Sequence, residues 1–380
     1  MGYPHTQPLK IATQAMHNYL KYNSNHVGMV SASEQPLTKS RELEKEAIKM
    51  LGNLFGEDDV DGYINSGSTE GNIFGLMIGH AYLDADINDI VLITSDLAHH
   101  SIDKASKLMS IKNFEKIEVN TDFSIDTDKL IACLKKYIAN GIKKFILVLT
   151  SGYTCTGTED NLFLINEKIK ELKFQHDFDI YIHIDAAIGG FVFPFLGSGN
   201  YFHYDLVQSI TTDPHKMGYV PFSAGVFLCR TGIQNKVRMK INYVEEIYDD
   251  TLIGSRNGAS AVAVWATIKS LGKEGFTEQL KSLIELKNHI LYSFSKNQVL
   301  VVSKNDMNMV CFSLPGHCNP RLPEWIEDKY TLDRFELTYN GKPIVCYKIY
   351  IMPHITKSTV RLFINDITSI LKGKVDYETN

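Results

Sequence analysis

The feature that most constrains the fold is a series of short apolar runs that alternate with stretches of helical periodicity. The runs have the length of strands and are apolar at almost every position; they cover residues 89–94, 144–150, 180–184, 206–210 and 225–229. Strands that are apolar on both faces are typical of a parallel sheet covered by helices on each side. Helical patterns lie between them, at residues 101–111, 126–139 and 166–172. The sequence therefore predicts a three-layer α/β/α domain with a mostly parallel sheet.

The pattern changes near residue 260, which we take as a domain boundary. Beyond it we expect helices at residues 261–271 and 277–295, strands at 309–314 and 346–352, and a closing helix at 360–371. A helix with one apolar face is also predicted before the sheet, over residues 40–54. We therefore expect an N-terminal arm (residues 1–50), a large domain (51–260) and a small α+β C-terminal domain (261–380).

Charge and hydropathy exclude two classes of partner. The 380 residues include 39 Lys and Arg against 44 Asp and Glu, which gives a formal net charge of −5. This mild acidity argues against a nucleic-acid partner bound through its phosphates. No apolar run reaches the roughly 18 residues of a membrane helix, and the N-terminus has no basic segment followed by an apolar one. We therefore expect a cytoplasmic protein without a membrane partner.

The cysteines give no sign of a disulfide framework or a metal centre. They show neither a C-x-x-C pair nor the spacing of a zinc site; they are Cys133, Cys155, Cys229, Cys311, Cys318 and Cys346. We expect reduced thiols that pack as small apolar side chains, and no metal.

A lysine and a carboxylate are predicted to meet at the carboxyl edge of the sheet, where open α/β sheets bind ligands. Lys216 follows the predicted strand 206–210 in the sequence Thr-Asp-Pro-His-Lys-Met-Gly. Asp185 ends another strand and is followed by the small residues Ala186 and Ala187. A buried carboxylate needs a cationic partner. A pyridinium nitrogen is such a partner, and small side chains would let a flat ring approach the backbone.

Two further segments complete this candidate site. Residues 66–72, Ser-Gly-Ser-Thr-Glu-Gly-Asn, precede an apolar helix predicted over 73–83, and the N–H groups at a helix N-terminus bind phosphate. His99 and His100 follow the strand at 89–94, where one imidazole could stack on a ring. A phosphate site, an imidazole, a carboxylate and a lysine together indicate a site for pyridoxal 5'-phosphate.

With these motifs the chain resembles the group II pyridoxal-dependent amino-acid decarboxylases over nearly its whole length. The resemblance implies the type I fold of pyridoxal phosphate-dependent transferases, which is the fold of aspartate aminotransferase. It implies that Lys216 binds the cofactor covalently, that Asp185 pairs with the ring nitrogen, and that His99 stacks on the ring and takes part in catalysis. The other implied cofactor contacts are Ala187 on the opposite ring face, Thr154 near the phenolic oxygen, and Gly67, Ser68, Thr69 and His215 at the phosphate.

The resemblance also implies a homodimer whose subunits share their active sites. Residues 254–258, Gly-Ser-Arg-Asn-Gly, resemble the segment that reaches the partner's cofactor phosphate through Gly254 and Ser255. Tyr243 resembles a tyrosine on a mobile loop, which protonates the substrate carbon after carbon dioxide has left. Tyr248 is close by and is the alternative for that role.

The amino-acid substrate is left open by two competing resemblances. Residues 213–218 and 351–354 are similar to archaeal tyrosine and aspartate decarboxylases, which carry an arginine where this chain has Lys348. Gly-Tyr-Pro at residues 2–4, Gly-Asn at 71–72 and the chain length resemble bacterial histidine and plant serine decarboxylases, although the histidine enzymes have Asn at the position of Thr6. We expect histidine as the substrate, with Tyr3 and Lys348 near it, and tyrosine, aspartate or serine as alternatives.

Two other classes of protein stay open. Residues 216–221, Lys-Met-Gly-Tyr-Val-Pro, also resemble sphingosine phosphate lyase, a carbon–carbon lyase on the same fold. A binding protein without catalytic activity is the third alternative, and the presence of both Lys216 and Asp185 argues against it.

Overall fold

The computed structural model describes residues 1–4, 7–31, 39–243, 248–314 and 321–373, so that Thr6 and Cys318 lie outside it. The α-helices are α1 (Lys10–Leu20), α2 (Lys39–Leu54), α3 (Ser68–Leu83), α4 (Ser101–Met109), α5 (Thr127–Ala139), α6 (Leu162–Gln175), α7 (Phe193–Leu196), α8 (Gly258–Lys296), α9 (Glu324–Tyr330) and α10 (Lys357–Leu371). Short 3₁₀ helices lie at Ile87–Asp89, Gly189–Phe191, Tyr201–His203 and Ile233–Lys236.

The longer strands are close to those that the apolar runs predict. In chain order the strands are β1 (Asn25–His26), β2 (Val60–Asn65), β3 (Ile90–Ser95), β4 (Asn113–Ile117), β5 (Lys144–Thr150), β6 (Asp179–Asp185), β7 (Val207–Thr212), β8 (Gly225–Arg230), β9 (Met239–Lys240), β10 (Tyr248–Asp249), β11 (Arg256–Asn257), β12 (Leu300–Val301), β13 (Met309–Ser313), β14 (Arg334–Tyr339) and β15 (Lys342–Tyr350). The sequence did not predict β2, β4 or β14, because each contains charged or polar residues that break an apolar run.

The central sheet has the order β2-β8-β7-β6-β5-β3-β4. Strands β7, β6, β5, β3 and β4 pair in parallel. Strand β8 is antiparallel to both of its neighbours, so that β2 again runs in the common direction. The structure confirms a mostly parallel sheet, with β2 and β4 at the edges, where a strand does not need two apolar faces.

Successive residues of β6 face two different helical layers, as the alternation of a strand requires. Ile180, Ile182 and Ile184 belong to the larger apolar core, which includes buried residues of α2, α5, α6 and α8. Tyr181 belongs to a second core, formed with α3 and α4 on the other face. The layers are therefore α/β/α, as predicted.

Helix α3 lies close to the sheet because glycines at intervals of four residues form the face that packs against it. A Cβ added at any of them would collide with the sheet: at Gly71 with the side chain of Thr211, at Gly75 with the ring of His183 at 2.7 Å, and at Gly79 with the ring of Tyr181 at 2.8 Å. Residues four apart lie on the same side of a helix, so these glycines form one continuous stripe. The close approach brings the second turn of α3 to the end of β6.

The C-terminal part contains an antiparallel sheet of order β12-β13-β15-β14. Helix α8 leads into it and departs from helical geometry at Gly272 (φ 57°), which agrees with the two helices that the sequence predicts. Phe294 of α8 packs against Phe312 of β13 and Phe363 of α10, with ring centroids 4.9 and 6.2 Å away. These rings belong to the same apolar core as the central sheet. The division at residues 50 and 260 stays a prediction.

Three expected absences concern the described ranges alone. No helix there is long and apolar enough to cross a bilayer. No group of His, Cys, Asp and Glu side chains in these ranges is arranged to hold a metal ion. The described cysteines are free thiols.

Candidate active site

The loops that follow five strands meet at one edge of the central sheet. Strands β2, β3, β5, β6 and β7 run in the same direction, so their carboxyl ends lie side by side. Each supplies a predicted residue: Gly67 after β2, His99 after β3, Thr154 after β5, Asp185 at the end of β6 and Lys216 after β7. The topology thus gathers residues that are far apart in the sequence.

Lys216 is held at this edge by Asp213. The lysine Nζ lies 2.8 Å from Oδ2 of Asp213, and about a quarter of the lysine side chain is exposed, 24%. Oδ1 of the same carboxylate accepts a hydrogen bond of 2.6 Å from the backbone N–H of Ser68, the first residue of α3. One buried carboxylate therefore links the lysine to the start of the helix. The sequence analysis gives Asp213 no role, although its position three residues before Lys216 is a signal for one.

Asp185 is a buried carboxylate, 3% exposed, whose hydrogen-bond donors are neutral. Oδ2 accepts from the side-chain amide of Asn72 at 2.8 Å, and Oδ1 accepts from the backbone N–H of Ala187 at 3.1 Å. Across the described residues, Asp185 has no ion pair. Because burying an uncompensated charge is costly, this carboxylate is suited to a cationic ligand.

His99 lies near both of these charged groups. Burial lowers the pKa of His99 below its ordinary value, the Asp185 carboxylate opposes this shift, and the positive charge of Lys216 adds to it. Its Nδ1 lies 2.8 Å from the hydroxyl oxygen of Ser101. The imidazole is therefore neutral near pH 7, and a neutral flat ring can stack on another flat ring.

Helix α3 begins at Ser68, five residues earlier than predicted, with Gly67 as its N-cap. The backbone N–H groups of Thr69 and Glu70 have no acceptor among the described residues. A Cβ at Gly67 would lie 3.3 Å from Cε1 of His215, so the glycine leaves open space between the helix and this imidazole. Free N–H groups and the positive end of the helix dipole fit a phosphate group.

The loop that follows β5 is anchored to the C-terminal sheet. The carbonyl oxygen of Thr154 accepts a hydrogen bond of 2.7 Å from the hydroxyl of Tyr350, at the end of β15. Tyr350 is fully buried. The C-terminal part therefore positions Thr154, a contribution that no local sequence signal announces.

Lys348 is a buried cation close to the same loop, with 7% of its surface exposed. Its Nζ lies 5.9 Å from the ring centroid of Tyr3 and 5.6 Å from that of Phe335. Its charge also acts on Cys155, the neighbour of Thr154: burial raises the pKa of that thiol, and the lysine opposes the shift. Within the described residues, the side chain of Lys348 has neither a hydrogen bond nor an ion pair.

The N-terminal residues form hydrogen bonds with the C-terminal sheet and with the segment that follows Lys216. The backbone N–H of Tyr350 donates to the carbonyl of Met1 at 2.7 Å. At the other side, the N–H of Leu9 donates to the carbonyl of Tyr219 at 2.9 Å, three residues after Lys216. The N-terminal residues therefore lie next to β15, where the ring of Tyr3 is close to Lys348; the role of both residues in substrate binding stays a prediction.

Within the described part of the chain, the residues predicted to act across a dimer form no hydrogen bond or ion pair with Lys216 or Asp185. Tyr243 is 90% exposed, the value of a side chain without neighbours in its own subunit. Ser255 is exposed and its hydroxyl accepts a hydrogen bond of 3.2 Å from Asn25. Gly254 lies beside the carboxylate of Asp249.

The residues at the sheet edge fit pyridoxal 5'-phosphate in three respects. Among the residues that the structure describes, the N-terminus of α3 has N–H groups without an acceptor and Asp185 has no cationic partner, while Lys216 presents a primary amine. Phosphate, pyridinium nitrogen and aldehyde are the groups of the cofactor that require these partners. The sequence missed Asn72 as a partner of Asp185, because the two lie 113 positions apart.

Comparisons with known proteins agree with this geometry. Residues 15–315 match the family model described as the pyridoxal-dependent decarboxylase conserved domain. The chain is 31% identical to a probable L-aspartate decarboxylase of Pyrococcus abyssi, over 97% of this chain and 90% of the relative. It is 29% identical to a probable L-tyrosine/L-aspartate decarboxylase of Methanothermobacter thermautotrophicus, over 87% of this chain and 88% of the relative.

A solved structure shares the same fold. Glutamate decarboxylase of Lactobacillus brevis superposes with a TM-score of 0.81 at 20% identity, over 98% of this chain and 87% of that one. This similarity confirms the expected type I fold.

Proposed function

Because the chain belongs to the pyridoxal-dependent decarboxylase family, and is therefore a pyridoxal phosphate-dependent amino-acid decarboxylase, we propose that its substrate is L-aspartate. The observation that carries this proposal is the buried cation Lys348, which has no acidic partner in the described residues and lies beside Tyr3. Aspartate has a second carboxylate that could supply the missing partner.

The chemistry of decarboxylation favours the side-chain carboxylate of the substrate as the partner of Lys348. The α-carboxylate loses its charge as it leaves in the form of neutral carbon dioxide. A fixed cation on that group would stabilise the ground state more than the transition state and would slow the reaction. A cation that pairs with the side-chain carboxylate does not slow the reaction in this way, because the charge of that carboxylate is the same in the ground state and in the transition state.

Histidine, which the sequence analysis favours, has no second carboxylate and receives no support from the relatives named above. Their names give aspartate or tyrosine. Serine and the sphingosine phosphate lyase reaction likewise have no counterpart among them. Tyrosine shares the relatives but offers Lys348 no retained carboxylate, so aspartate fits the buried cation better.

The roles of the other residues follow from their chemistry. When bound, the cofactor supplies an electron sink for the bond that breaks. In the proposal, Lys216 holds the cofactor through its amine, Asp185 keeps a proton on the ring nitrogen, and His99 covers one ring face. The free N–H groups after Gly67 bind the phosphate, and Lys348 sets the orientation of the substrate, which decides which bond breaks.

A substrate panel tests the proposal directly. We expect carbon dioxide release from L-aspartate with a larger kcat/KM than from tyrosine, histidine, serine or glutamate. Lys348→Met should lower kcat/KM for aspartate by about 10- to 100-fold, because a charge-assisted contact is lost. The control is Lys342→Met, at the exposed start of the same strand, which should leave kcat/KM unchanged. Faster release from tyrosine or histidine would overturn the aspartate assignment.

The homodimer and the role of Tyr243 belong to the same proposal, as does the cytoplasmic location. An exposed tyrosine and an exposed Ser255 are what a site completed by a second subunit requires. We propose that Tyr243 donates the proton to the substrate carbon in the partner's site, and that Gly254 and Ser255 contact the partner's phosphate.

For Tyr243→Phe we expect a fall in amine formation of about 10²- to 10⁴-fold, the usual contribution of a general acid. Aspartate should still change the absorbance of the bound cofactor, because substrate binding does not need this hydroxyl. Tyr248→Phe is the matched control. Mixing Tyr243→Phe with Lys216→Ala should restore part of the activity, since a mixed dimer has one site with both groups. A loss confined to Tyr248→Phe would transfer the role to that residue.

A further inference from the structure

Beneath the candidate site, a set of fully buried polar side chains connects Asp185 with His99. We propose that Asn72 is a positioning residue which orients the Asp185 carboxylate and, through Ser101, fixes the proton of the neutral His99 ring on Nε2. The inference rests on the proposed roles of Asp185 and His99, and it gives Asn72 a role that neither the sequence motifs nor the relatives' names assign.

The orientation of the Asn72 side chain is determined by its neighbours. A carboxylate accepts hydrogen bonds and does not donate them, so the atom of Asn72 that lies 2.8 Å from Asp185 Oδ2 must be the nitrogen. The same nitrogen lies 2.8 Å from the hydroxyl oxygen of Ser101. Its two N–H groups are therefore divided between Asp185 and Ser101.

The hydroxyl of Ser101 in turn determines which nitrogen of His99 accepts a hydrogen bond. Since Ser101 Oγ accepts from Asn72, its own hydrogen is available for His99 Nδ1 at 2.8 Å. The backbone N–H of Ser101 also points at Nδ1, at 3.3 Å. Nδ1 of His99 is therefore an acceptor, and in a neutral imidazole the proton must then reside on Nε2.

The oxygen of Asn72 is held from the opposite side by His183. It lies 3.0 Å from Nε2 of His183 and, as an acceptor, requires the proton there. Burial lowers the pKa of His183 to about 3, so its ring is neutral and Nδ1 is an acceptor. Ser209 donates to that Nδ1 at 2.7 Å and accepts from the hydroxyl of Tyr181 at 2.6 Å. Each donor in this set meets an acceptor.

Water cannot compete for these hydrogen bonds. The residues Asn72, Ser101, His183, Ser209 and Tyr181 each have 0% of their surface exposed. In such an environment an unpaired donor or acceptor is costly. In the alternative tautomer of His99, the Nδ1–H would point at the hydroxyl hydrogen and the backbone N–H of Ser101. This tautomer is disfavoured because hydrogen-bond donors would then face each other.

The consequence is that one amide serves two groups of the site. Asp185 receives a neutral donor that holds its carboxylate in place without cancelling its charge. His99 presents a fixed N–H at Nε2 and keeps Nδ1 on the protein side.

The test is nitrogen NMR of ¹⁵N-histidine-labelled, full-length protein with the cofactor bound. Nδ1 of His99 should have the shift of an unprotonated nitrogen and Nε2 that of a protonated one; loss of the signals in His99→Gln assigns them. In Asn72→Asp the atom that faces Ser101 becomes an acceptor, so a measurable share of His99 should carry its proton on Nδ1. Asn72→Ala, which frees the Ser101 hydroxyl, should do the same to a smaller degree. Ser106→Ala is the control, since Ser106 is a buried serine of the same helix outside this set.

Kinetics provide the second readout. We expect kcat of Asn72→Ala to fall about tenfold, with KM within about twofold of the original, because a hydrogen bond to a charged group is lost while substrate contacts remain. A wild-type His99 protonated on Nδ1, or the same tautomer in both Asn72 variants, would overturn the inference. If the tautomer responds as expected but aspartate is not decarboxylated, the positioning role stands and the substrate assignment fails.

Discussion

Replacing Lys216 with alanine is expected to abolish both catalysis and the visible absorbance of the covalently attached cofactor. The amine of Lys216 is placed at the sheet edge by Asp213, at 2.8 Å, and alanine has no group that can bind an aldehyde. We expect kcat to fall by about 10⁴-fold or more, as for the loss of a residue that acts covalently. The measurements are the absorbance spectrum of the purified protein and carbon dioxide release from aspartate.

The matched control for Lys216→Ala is Lys104→Ala, which removes an exposed lysine from α4. This variant should keep both the absorbance and the activity. A wild-type protein that binds no pyridoxal phosphate, or a Lys216→Ala variant with an unchanged spectrum, would contradict the assignment of this lysine.

Replacing Asp185 with asparagine is expected to give the second largest effect while the cofactor stays bound. The amide has nearly the same shape but no negative charge, so it cannot keep a proton on the ring nitrogen. Removing one partner of a buried charge pair costs about 3–5 kcal/mol; if this cost falls on the transition state, it corresponds to a fall in kcat of roughly 10²- to 10⁴-fold. The attached cofactor should remain visible, because Lys216 and the phosphate site are unchanged.

Strand β6 itself offers the control for Asp185→Asn. Asp179 lies at the other end of the strand, exposed, and pairs with Lys144 at 2.6 Å. Exposed ion pairs contribute little to stability, so Asp179→Asn should keep the original kcat. An unchanged kcat in Asp185→Asn would mean that another group holds the ring nitrogen.

Much of the site could be predicted because its residues follow apolar strands directly. Asp185 and Lys216 stand at or just beyond runs that are recognisable without an alignment, and parallel strands end at the same edge. Helix α3 begins five residues before the predicted start, because residues 68–72, Ser-Thr-Glu-Gly-Asn, lack the apolar character used to locate the helix. The role of its glycines in close packing depends on the sheet beneath them, which sequence periodicity does not contain.

The residues that the sequence did not reveal are those whose partners are remote in the chain. Asn72 meets Asp185, and Tyr350 meets Thr154, across separations of 113 and 196 positions. Such contacts are products of topology rather than of local pattern. The short motifs favour histidine over aspartate, whereas the proposal of aspartate rests on the buried Lys348, whose lack of an acidic partner among the described residues is visible only in the folded chain.

The glycine stripe of α3 links the positions of two parts of the proposed cofactor site. The first turn of this helix carries the N–H groups proposed to bind the phosphate, and the next turn carries Asn72, which donates to Asp185. The glycine stripe packs both turns directly against the sheet. A methyl group at Gly75 would push the helix away from the ring of His183. The N–H groups of the first turn and the Asn72 amide would then move together, because both belong to this helix. In the proposed site, the packing of this helix would therefore fix the spacing between the N–H groups that bind the phosphate and the Asp185 carboxylate that pairs with the ring nitrogen.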